Sequence, residues 1–303
     1  MTAPSGPAAT AAVSRVGVVG GGLMGSGIAQ VAAQAGLTTV VRELSDALCE
    51  RAHGAIAKSV DKAIEKGKLT PDGRATTLAS LTFTTSLDTL ATCDIIIEAV
   101  VEDLDAKNAL WRELDAIAGP GTIFASNTSS LTIAAMASAS GRPDRLVGLH
   151  FFNPVPLMKL VEVVRTITTS EDTFERSLEF VRRIGKQPIV ARDQSGFIVN
   201  RLLIPYMLDA IRALENGVGS VTDIDAGMQL GAGYPMGPFT LLDFVGLDTT
   251  QRVAEVMFDE YREQRFAPPP LLRRLVLAGH LGRKSGRGFY DHSVNPPVPS
   301  KLV

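Results

Sequence analysis

Three glycines and an acidic residue near the start of the chain have the spacing of a dinucleotide-binding site. Gly20, Gly22 and Gly25 form a G-x-G-x-x-G motif directly after the apolar residues 16–19. The first glycine permits a tight turn, the second lets a pyrophosphate approach the backbone, and the third lets a helix pack against the strand. Free N–H groups at the start of that helix bind phosphate. Glu43 ends a second apolar run, where a carboxylate can accept the hydroxyls of an adenosine ribose. We predict that the dinucleotide contacts Gly20, Gly22, Leu23, Met24, Gly25 and Glu43.

Two other interpretations of residues 16–41 are open. The segment carries no charge and is long enough to cross a membrane. Its glycines, together with Gln30 and Gln34, make it a poor membrane span. A purely structural glycine turn is the second interpretation, and it leaves Glu43 without a role.

Histidine is the side chain left for acid–base chemistry. None of the four tyrosines is followed by Lys four residues later, which excludes a tyrosine–lysine mechanism, and the Cys and His ligands of a zinc alcohol dehydrogenase are missing. His53, His280 and His292 lie in charged or terminal segments and are interpreted as surface residues. His150 ends the apolar residues 146–149, which places it at the carboxyl edge of a sheet, where ligands bind. A satisfied core histidine explains that position equally well.

Composition restricts the class of protein. The chain has 303 residues, enough for two domains, and 45% apolar with 20% charged residues is typical of a globular protein. A net charge of −2 gives no general attraction to nucleic acid or to anionic membranes, so we predict neither as a partner. Cys49 and Cys93 lie far apart and have no ligand spacing, which argues against a disulfide scaffold and a metal site. They suit a reducing compartment, and we predict a cytoplasmic protein.

Strand and helix patterns alternate over the first two thirds of the chain, as in a doubly wound parallel sheet of the Rossmann type. A helical pair, predicted over residues 46–68 and about 73–80, is longer than a usual crossover. We predict a disordered tail over residues 1–14 and a dinucleotide-binding domain over 15–194. The predicted strands cover residues 16–19, 38–41, 81–84, 94–100, 122–126, 146–149, 159–164 and 187–191, and the other predicted helices cover 104–118 and 171–184.

The last third of the chain has only helical patterns. They cover residues 197–216, 222–230, 240–261 and 269–279, separated by Gly and Pro. We predict an all-helical C-terminal domain over 195–292 and a tail over 293–303. The first helix carries Ile198, Leu202, Pro205, Leu208 and Ala213 among few charges, and we predict that this domain forms a homodimer.

Five blocks of the chain resemble the signature blocks of L-3-hydroxyacyl-CoA dehydrogenases, a family that includes the bacterial 3-hydroxybutyryl-CoA dehydrogenases. The blocks occur in family order, and the resemblance runs over residues 16–290. They are SNTSS at 126–130, GLHFFNPVP at 148–156, GFIVNR at 196–201, GAGYPMGP at 231–238 and GRKSGRGFY at 282–290.

The resemblance implies that His150 is the catalytic base and that Glu162 is its paired carboxylate. Such a carboxylate sets the imidazole tautomer and stabilises the imidazolium. Glu162 lies between valines on a two-residue period, and an exposed strand residue is the alternative. Ser129 and Asn200 match the residues that hydrogen-bond the substrate 3-oxygen and the thioester carbonyl. Without the resemblance, Ser129 would be interpreted as a helix cap and Asn200 as a polar residue inside a helix.

The resemblance also implies contacts to the cofactor and to coenzyme A. Glu102, Lys107, Asn153 and Lys284 match residues around the nicotinamide half, and Ser129 contributes there as well. Glu102 and Lys107 could equally be a solvated pair. Ser59 and Lys66 match coenzyme A contacts. Lys66 is the last of three lysines, at positions 58, 62 and 66, that form one basic stripe on a helix. The alternative is that this stripe is a solvated helix face without a ligand.

The implied reaction is the interconversion of a (3S)-3-hydroxyacyl-CoA and a 3-oxoacyl-CoA, with acyl-CoA as the small-molecule partner. NAD is the predicted cofactor, because Glu43 would repel a 2′-phosphate. Many family members carry Asp at this position, and the adjacent Arg42 could turn toward such a phosphate, so NADP is a less favoured alternative. Two other functions stay open. They are a dinucleotide-binding structural or sensor protein that has lost turnover, and a dehydrogenase of free hydroxy acids.

Overall fold

The computed structural model describes residues 12–301, and the chain divides into two compact units between Gln194 and Ser195. The first unit is built on an eight-stranded sheet, and the second is mainly helical. This confirms the predicted fold class of a doubly wound α/β sheet with an inserted helical pair, followed by a helical unit.

Strands and helices alternate in the first unit. Its strands are β1 (Arg15–Val19), β2 (Thr38–Arg42), β3 (Leu81–Thr84), β4 (Ile95–Glu98), β5 (Ile123–Ser126), β6 (Leu146–Phe151), β7 (Leu160–Arg165) and β8 (Gln187–Arg192). Its helices are α1 (Leu23–Gln34), α2 (Asp46–Glu65), α3 (Pro71–Ala79), α4 (Leu104–Ile117), α5 (Ile133–Ala137) and α6 (Glu171–Arg183).

The sheet has the strand order β3-β2-β1-β4-β5-β6-β7-β8. The first six strands are parallel, β7 pairs antiparallel to β6, and β8 runs parallel to β7. The order reverses between β1 and β4, and ligands of such sheets bind outside the strand ends at that point. Central strands are apolar on both faces because helices cover both sides. Val18 and Ile97 on one face, and Ile96 and Phe124 on the other, have no solvent exposure.

Hydrogen bonds to helix starts, one local and one distant in sequence, explain two differences from the predicted elements of this unit. The Thr70 side chain accepts from the Gly73 N–H, so α3 begins at Pro71 and not at residue 73. The short α5 was not predicted. Asp193, which is distant in sequence, accepts from its first two N–H groups at 2.7 Å each, so sequence patterns next to α5 do not reveal it.

Residues 1–11 of the predicted tail lie outside the described residues. The end of that tail packs against the first unit. Val13 is 4% exposed, and the Ser14 N–H donates to Asp94 Oδ2 at 2.7 Å. The Thr38 N–H also donates to the Ser14 carbonyl oxygen at 3.2 Å, so the backbone pairing with the second strand begins just before residue 15.

The second unit consists of short helices and one small β-ribbon. Its elements are α7 (Val199–Glu215), α8 (Val221–Ala226), α9 (Pro238–Val245), α10 (Leu247–Tyr261), α11 (Pro270–Leu277), β9 (Tyr290–Asp291) and β10 (Val298–Pro299), with a π-helical turn over Gly227–Gly231. The prediction of a single helix over 240–261 is wrong. Gly246, at φ 101°, separates α9 from α10, a conformation that glycine tolerates. The prediction of helix only is also wrong at the C-terminal end, because β10 folds back onto β9, and residues 302–303 lie outside the described residues.

Two buried aspartates hold the glycine-rich block of residues 282–290. Asp225 accepts from the Phe239 N–H at 2.7 Å and from the Tyr290 hydroxyl at 2.9 Å. Asp243 accepts from the backbone N–H groups of Phe289 and Tyr290 and contacts His292 Nε2 at 2.9 Å. Burial and the neighbouring Asp225 raise the pKa of Tyr290. These contacts connect the chain end to α9.

Among residues 12–301, no helix combines the length and the apolar content that a membrane crossing requires.

The Asp94 carboxylate gives a test of how the chain start is attached to the first unit. Burial raises its pKa, but hydrogen bonds from Ser14 and Arg15 outweigh burial and hold the pKa below the ordinary value of 3.8. A depressed folded-state pKa adds stability above the unfolded value, and this is lost as pH falls through the folded value. We expect Asp94→Asn to lower the free energy of unfolding by about 1 kcal/mol at neutral pH, in urea titrations.

The stability difference between wild type and Asp94→Asn should narrow when the same titrations are run near pH 3. Glu50→Gln, which removes an exposed carboxylate on α2, is the matched control and should change little at either pH. An equal difference at both pH values would contradict the assignment.

Candidate functional site

The glycine turn after β1 has the shape that a phosphate cradle requires. Gly20 has φ 93°, and a Cβ at Gly25 would collide with the Gly20 carbonyl oxygen. A Cβ at Gly22 would meet open space, so this face of the turn is accessible. No described side chain caps the first N–H groups of α1, and its first turn has no acidic residue. The turn therefore fits an anionic pyrophosphate at the helix start.

Glu43 lies directly beside this turn. Its Oε1 accepts the Gly21 N–H at 2.6 Å, and its Oε2 accepts the Leu44 N–H at 3.1 Å. The carboxylate is thereby held at the end of β2, next to the glycine backbone. Arg42 points to a different partner, because its Nε donates to the Thr85 carbonyl at 3.3 Å.

A cavity of about 450 Å³ opens beside Glu43 within the first unit. Its walls come from the glycine turn, one face of α1, one face of α2 and the loop after β6. Ser59 and Asn153, both predicted site residues, line it, whereas Lys66 does not. The lining residues are Gly21, Gly22, Leu23, Ser26, Gly27, Gln30, Glu43, Leu48, Arg51, Ala55, Ile56, Ser59, Asn153, Pro154, Val155 and Pro156.

His150 and Glu162 form a buried pair at the carboxyl edge of the sheet. The antiparallel register of β6 and β7 sets the two residues directly opposite each other. His150 Nδ1 lies 2.6 Å from Glu162 Oε2, and the side chains are 5% and 0% exposed. At this distance, Nδ1 and the carboxylate oxygen share one hydrogen bond. The Phe152 ring packs 4.5 Å from the imidazole, between ring centroids.

A second buried charge cluster lies at the ends of β4 and β5. Lys107 Nζ contacts Glu98 Oε1 at 2.6 Å and Glu102 Oε2 at 3.2 Å, and the lysine side chain is 1% exposed. Glu98 also accepts from the Ser126 hydroxyl at 2.6 Å. Sequence reasoning did not identify Glu98, although an acid that ends a strand of three isoleucines is a signal of a buried, paired carboxylate. The alternative of a solvated Glu102–Lys107 pair is excluded by the burial of Lys107.

Glu102 connects this cluster to the turn that carries Ser129. Its Oε1 accepts from the Ser129 N–H at 3.0 Å and from the Thr128 hydroxyl at 2.5 Å. Burial raises the pKa of Glu102, but the Lys107 charge and these hydrogen bonds outweigh burial and lower the pKa below its ordinary value. Glu102 is therefore a carboxylate that stays ionised and holds the Ser129 backbone.

The Asn127 side chain connects the end of β5 to β6 by a hydrogen bond at the same edge of the sheet. Its Oδ1 accepts the Phe151 N–H at 3.0 Å, next to His150. Sequence reasoning did not select this residue, because an asparagine in a loop has many other roles.

Two predicted site residues lie in the second unit. Asn200 is in the first turn of α7. Lys284 Nζ contacts Asp248 Oδ1 at 2.6 Å, and about half of the lysine side chain is exposed. On α2 of the first unit, Lys58, Lys62 and Lys66 are exposed, as the solvated-face alternative requires. No group of three or more potential metal ligands occurs between residues 12 and 301.

The fold and the site together define a dehydrogenase that binds a nicotinamide dinucleotide. Family models match both units: the 3-hydroxyacyl-CoA dehydrogenase NAD-binding domain over residues 15–194 and the C-terminal domain over residues 196–292. The chain belongs to the 3-hydroxyacyl-CoA dehydrogenase family and is a 3-hydroxyacyl-CoA dehydrogenase.

Named relatives agree with this assignment over nearly the full chain. The 3-hydroxybutyryl-CoA dehydrogenase of Mycobacterium tuberculosis is 49% identical over 283 residues, which are 93% of this chain and 99% of that protein. The mitochondrial hydroxyacyl-coenzyme A dehydrogenase of Rattus norvegicus is 48% identical, over 92% of this chain and 91% of that protein. The crystal structure of (S)-3-hydroxybutyryl-CoA dehydrogenase from Ralstonia eutropha has a TM-score of 0.90 at 43% identity, covering 93% of this chain and 100% of that chain.

Proposed function

We propose that the chain interconverts (3S)-3-hydroxyacyl-CoA and 3-oxoacyl-CoA with NAD, and that His150 is the general base. The observation that carries this proposal is the buried contact between His150 Nδ1 and Glu162 Oε2 at the carboxyl edge of a dinucleotide-binding sheet. Relatives named 3-hydroxybutyryl-CoA dehydrogenase support a four-carbon acyl group. The proposed substrate pair is therefore 3-hydroxybutyryl-CoA and acetoacetyl-CoA.

The His150–Glu162 pair suits proton removal from a hydroxyl group. With the Nδ1 proton held by Glu162, Nε2 is the ring nitrogen that accepts the 3-hydroxyl proton. The imidazolium that forms is stabilised by the carboxylate, which has no solvent to compete with it. The dinucleotide, when bound, supplies the hydride acceptor. In the reduction direction the imidazolium returns its proton to the 3-oxygen.

Ser129 and Asn200 are the proposed hydrogen-bond partners of the substrate oxygens. The Ser129 N–H donates to Glu102, which orients the turn that carries the Ser129 hydroxyl. Asn200 can donate through its amide and is proposed to act on the thioester carbonyl. Orientation of the reacting groups is a large part of such catalysis.

For the cofactor, we propose that Glu43 binds the adenosine ribose and the glycine turn binds the pyrophosphate. The Gly21–Glu43 contact supports this, because it fixes a carboxylate next to the turn. Glu102, Lys107, Asn153 and Lys284 are proposed to surround the nicotinamide half. Lys107 would act mainly by holding Glu102, since the lysine is itself buried.

Ser59 and Lys66 are the proposed coenzyme A contacts on α2. Ser59 lines the cavity, and Lys66 lies beyond it at the exposed end of the same helix. An exposed lysine at that place suits the phosphates of the nucleotide. Both thiols are unpaired, which is consistent with the proposed cytoplasmic location.

A homodimer through the second unit is proposed from its exposed apolar side chains. Leu202, Leu230 and Leu277 are 66%, 88% and 87% exposed. The predicted set on α7 needs correction, because Pro205 and Leu208 are buried within their own unit. The proposed contact surface therefore includes Leu202 and neither Pro205 nor Leu208.

We expect His150→Gln to lower kcat for acetoacetyl-CoA reduction by a factor of about 10² or more, since a general base is lost. The KM for NADH should change little. Glu162→Gln should also lower kcat, because the carboxylate no longer orients the imidazole and stabilises its charge. Steady-state assays with NADH measure both variants.

The matched control is His53→Gln, which changes an exposed histidine on α2. It should leave kcat and both KM values unchanged. Near-normal turnover in both His150→Gln and Glu162→Gln would contradict the assignment of His150 as the general base and Glu162 as its partner.

Glu43 should make NADH the better reductant, because its charge would face a 2′-phosphate at close range. We expect Glu43→Ser to narrow the ratio of kcat/KM values for NADH and NADPH. Arg42→Ser is the control and should leave the NADH value unchanged. A wild-type preference for NADPH would instead assign the ribose contact to Arg42.

We expect a dimer in sedimentation velocity at micromolar concentration, with an interface of about 2,000 Å² or more in total. Leu202→Asp should shift the distribution toward monomer, because a charge would enter the apolar contact. Val190→Asp, at a 55% exposed position on β8 in the first unit, is the control. A monomeric wild type would contradict the proposal.

A further inference from the structure

Gln30 lies on α1, is 2% exposed and lines the cavity beside Glu43. Its side chain makes no hydrogen bond to residues 12–301, and its amide atoms are not sealed from solvent. The amide therefore opens onto the cavity. Such a group is expected where a ligand completes the hydrogen bonds.

The surroundings of Gln30 are preformed. Gly27 lies one helical turn earlier on the same face, and a Cβ there would lie 2.8 Å from Val155 Cβ. The loop of Val155 is held in place by Lys186, whose Nζ donates to the carbonyl oxygens of Val155 and Met158 at 2.5 and 2.8 Å. Burial lowers the pKa of Lys186. The amide therefore faces a cavity wall that is fixed without ligand.

The cavity is lined by two charged residues and is otherwise uncharged. The two charged residues are Glu43 and Arg51. Gln30 lies eight residues beyond Gly22, which is about 12 Å along the helix axis. The lining face of α2 runs from Leu48 to Ser59, about 16 Å. The cavity thus extends well past the carboxylate that would bind a ribose.

We propose that Gln30 binds an amide of the pantetheine arm of the acyl-CoA substrate. The arm is uncharged, has two secondary amides and carries apolar groups between them. A glutamine amide can donate to the carbonyl oxygen of one such amide or accept from its N–H group, while Ile56, Val155 and Pro156 contact the apolar parts. Ser59, the proposed coenzyme A contact, lines the same cavity. This inference rests on the proposed function, because it takes an acyl-CoA as the substrate.

The test compares Gln30→Met and Gln30→Leu with wild type, using acetoacetyl-CoA and NADH. Each variant should raise the KM for acetoacetyl-CoA about five- to tenfold, as expected for one lost hydrogen bond in a desolvated site. The KM for NADH and kcat should stay within twofold. The melting temperature without ligand should not fall, because the amide makes no hydrogen bond within residues 12–301. A purely structural role of Gln30 would instead lower the melting temperature.

Shortened substrates locate the contact. Acetoacetyl-pantetheine keeps both amides and should show the same loss, whereas the S-ethyl thioester, which has no amide, should show none. Gln34→Met, an exposed glutamine one turn further along α1, is the matched control and should behave as wild type.

Three results would overturn the proposal in distinguishable ways. An unchanged KM for acetoacetyl-CoA in an active Gln30→Met enzyme would remove the contact but leave the proposed function intact. A raised KM for NADH alone would assign Gln30 to the adenosine of the dinucleotide. A wild-type enzyme without activity on acetoacetyl-CoA would overturn the proposed function itself.

Discussion

Glu162 has no exposed surface, and its burial requires a partner that can carry a proton. A buried carboxylate is costly unless it is paired and hydrogen-bonded, and His150 Nδ1 lies 2.6 Å from Glu162 Oε2. The β6–β7 register sets the two residues directly opposite each other. In the proposed reaction, the other features of the site bring a hydroxyl group and a hydride acceptor to this imidazole.

The same requirement explains the second cluster. Glu98, Lys107 and Glu102 are brought together at the ends of β4 and α4, and each charge has a partner of opposite sign within 3.2 Å. Because Glu102 also holds the Ser129 backbone, the position of Ser129, a proposed substrate-binding residue, depends on a charge cluster whose contacting member, Glu102, is 27 residues away in sequence. The cluster therefore connects groups proposed to contact the cofactor with one proposed to contact the substrate.

Close backbone approach is the second constraint on the molecule. At Gly25 and Gly288 a Cβ would collide with the Gly20 carbonyl oxygen and with Asp243, respectively. The first glycine permits the phosphate turn, and the second permits the buried aspartate to hold the chain end. Gln30, by contrast, faces the cavity without a hydrogen bond to residues 12–301, which is the basis of its proposed contact with a ligand.

Sequence periodicity and glycine spacing were sufficient to predict the sheet, the inserted helical pair and the glycine turn, because these depend on interactions between near neighbours. The resemblance to a family supplied His150 and Glu162. Only the tertiary structure decided that β6 and β7 set those two residues directly opposite each other, that Glu98 completes a charge cluster, and that Gln30 faces a cavity. These depend on contacts between residues far apart in sequence, which local pattern does not encode. The break at Gly246 was missed for a related reason, since a glycine within a helical pattern can continue or end a helix, and only its packing selects between them.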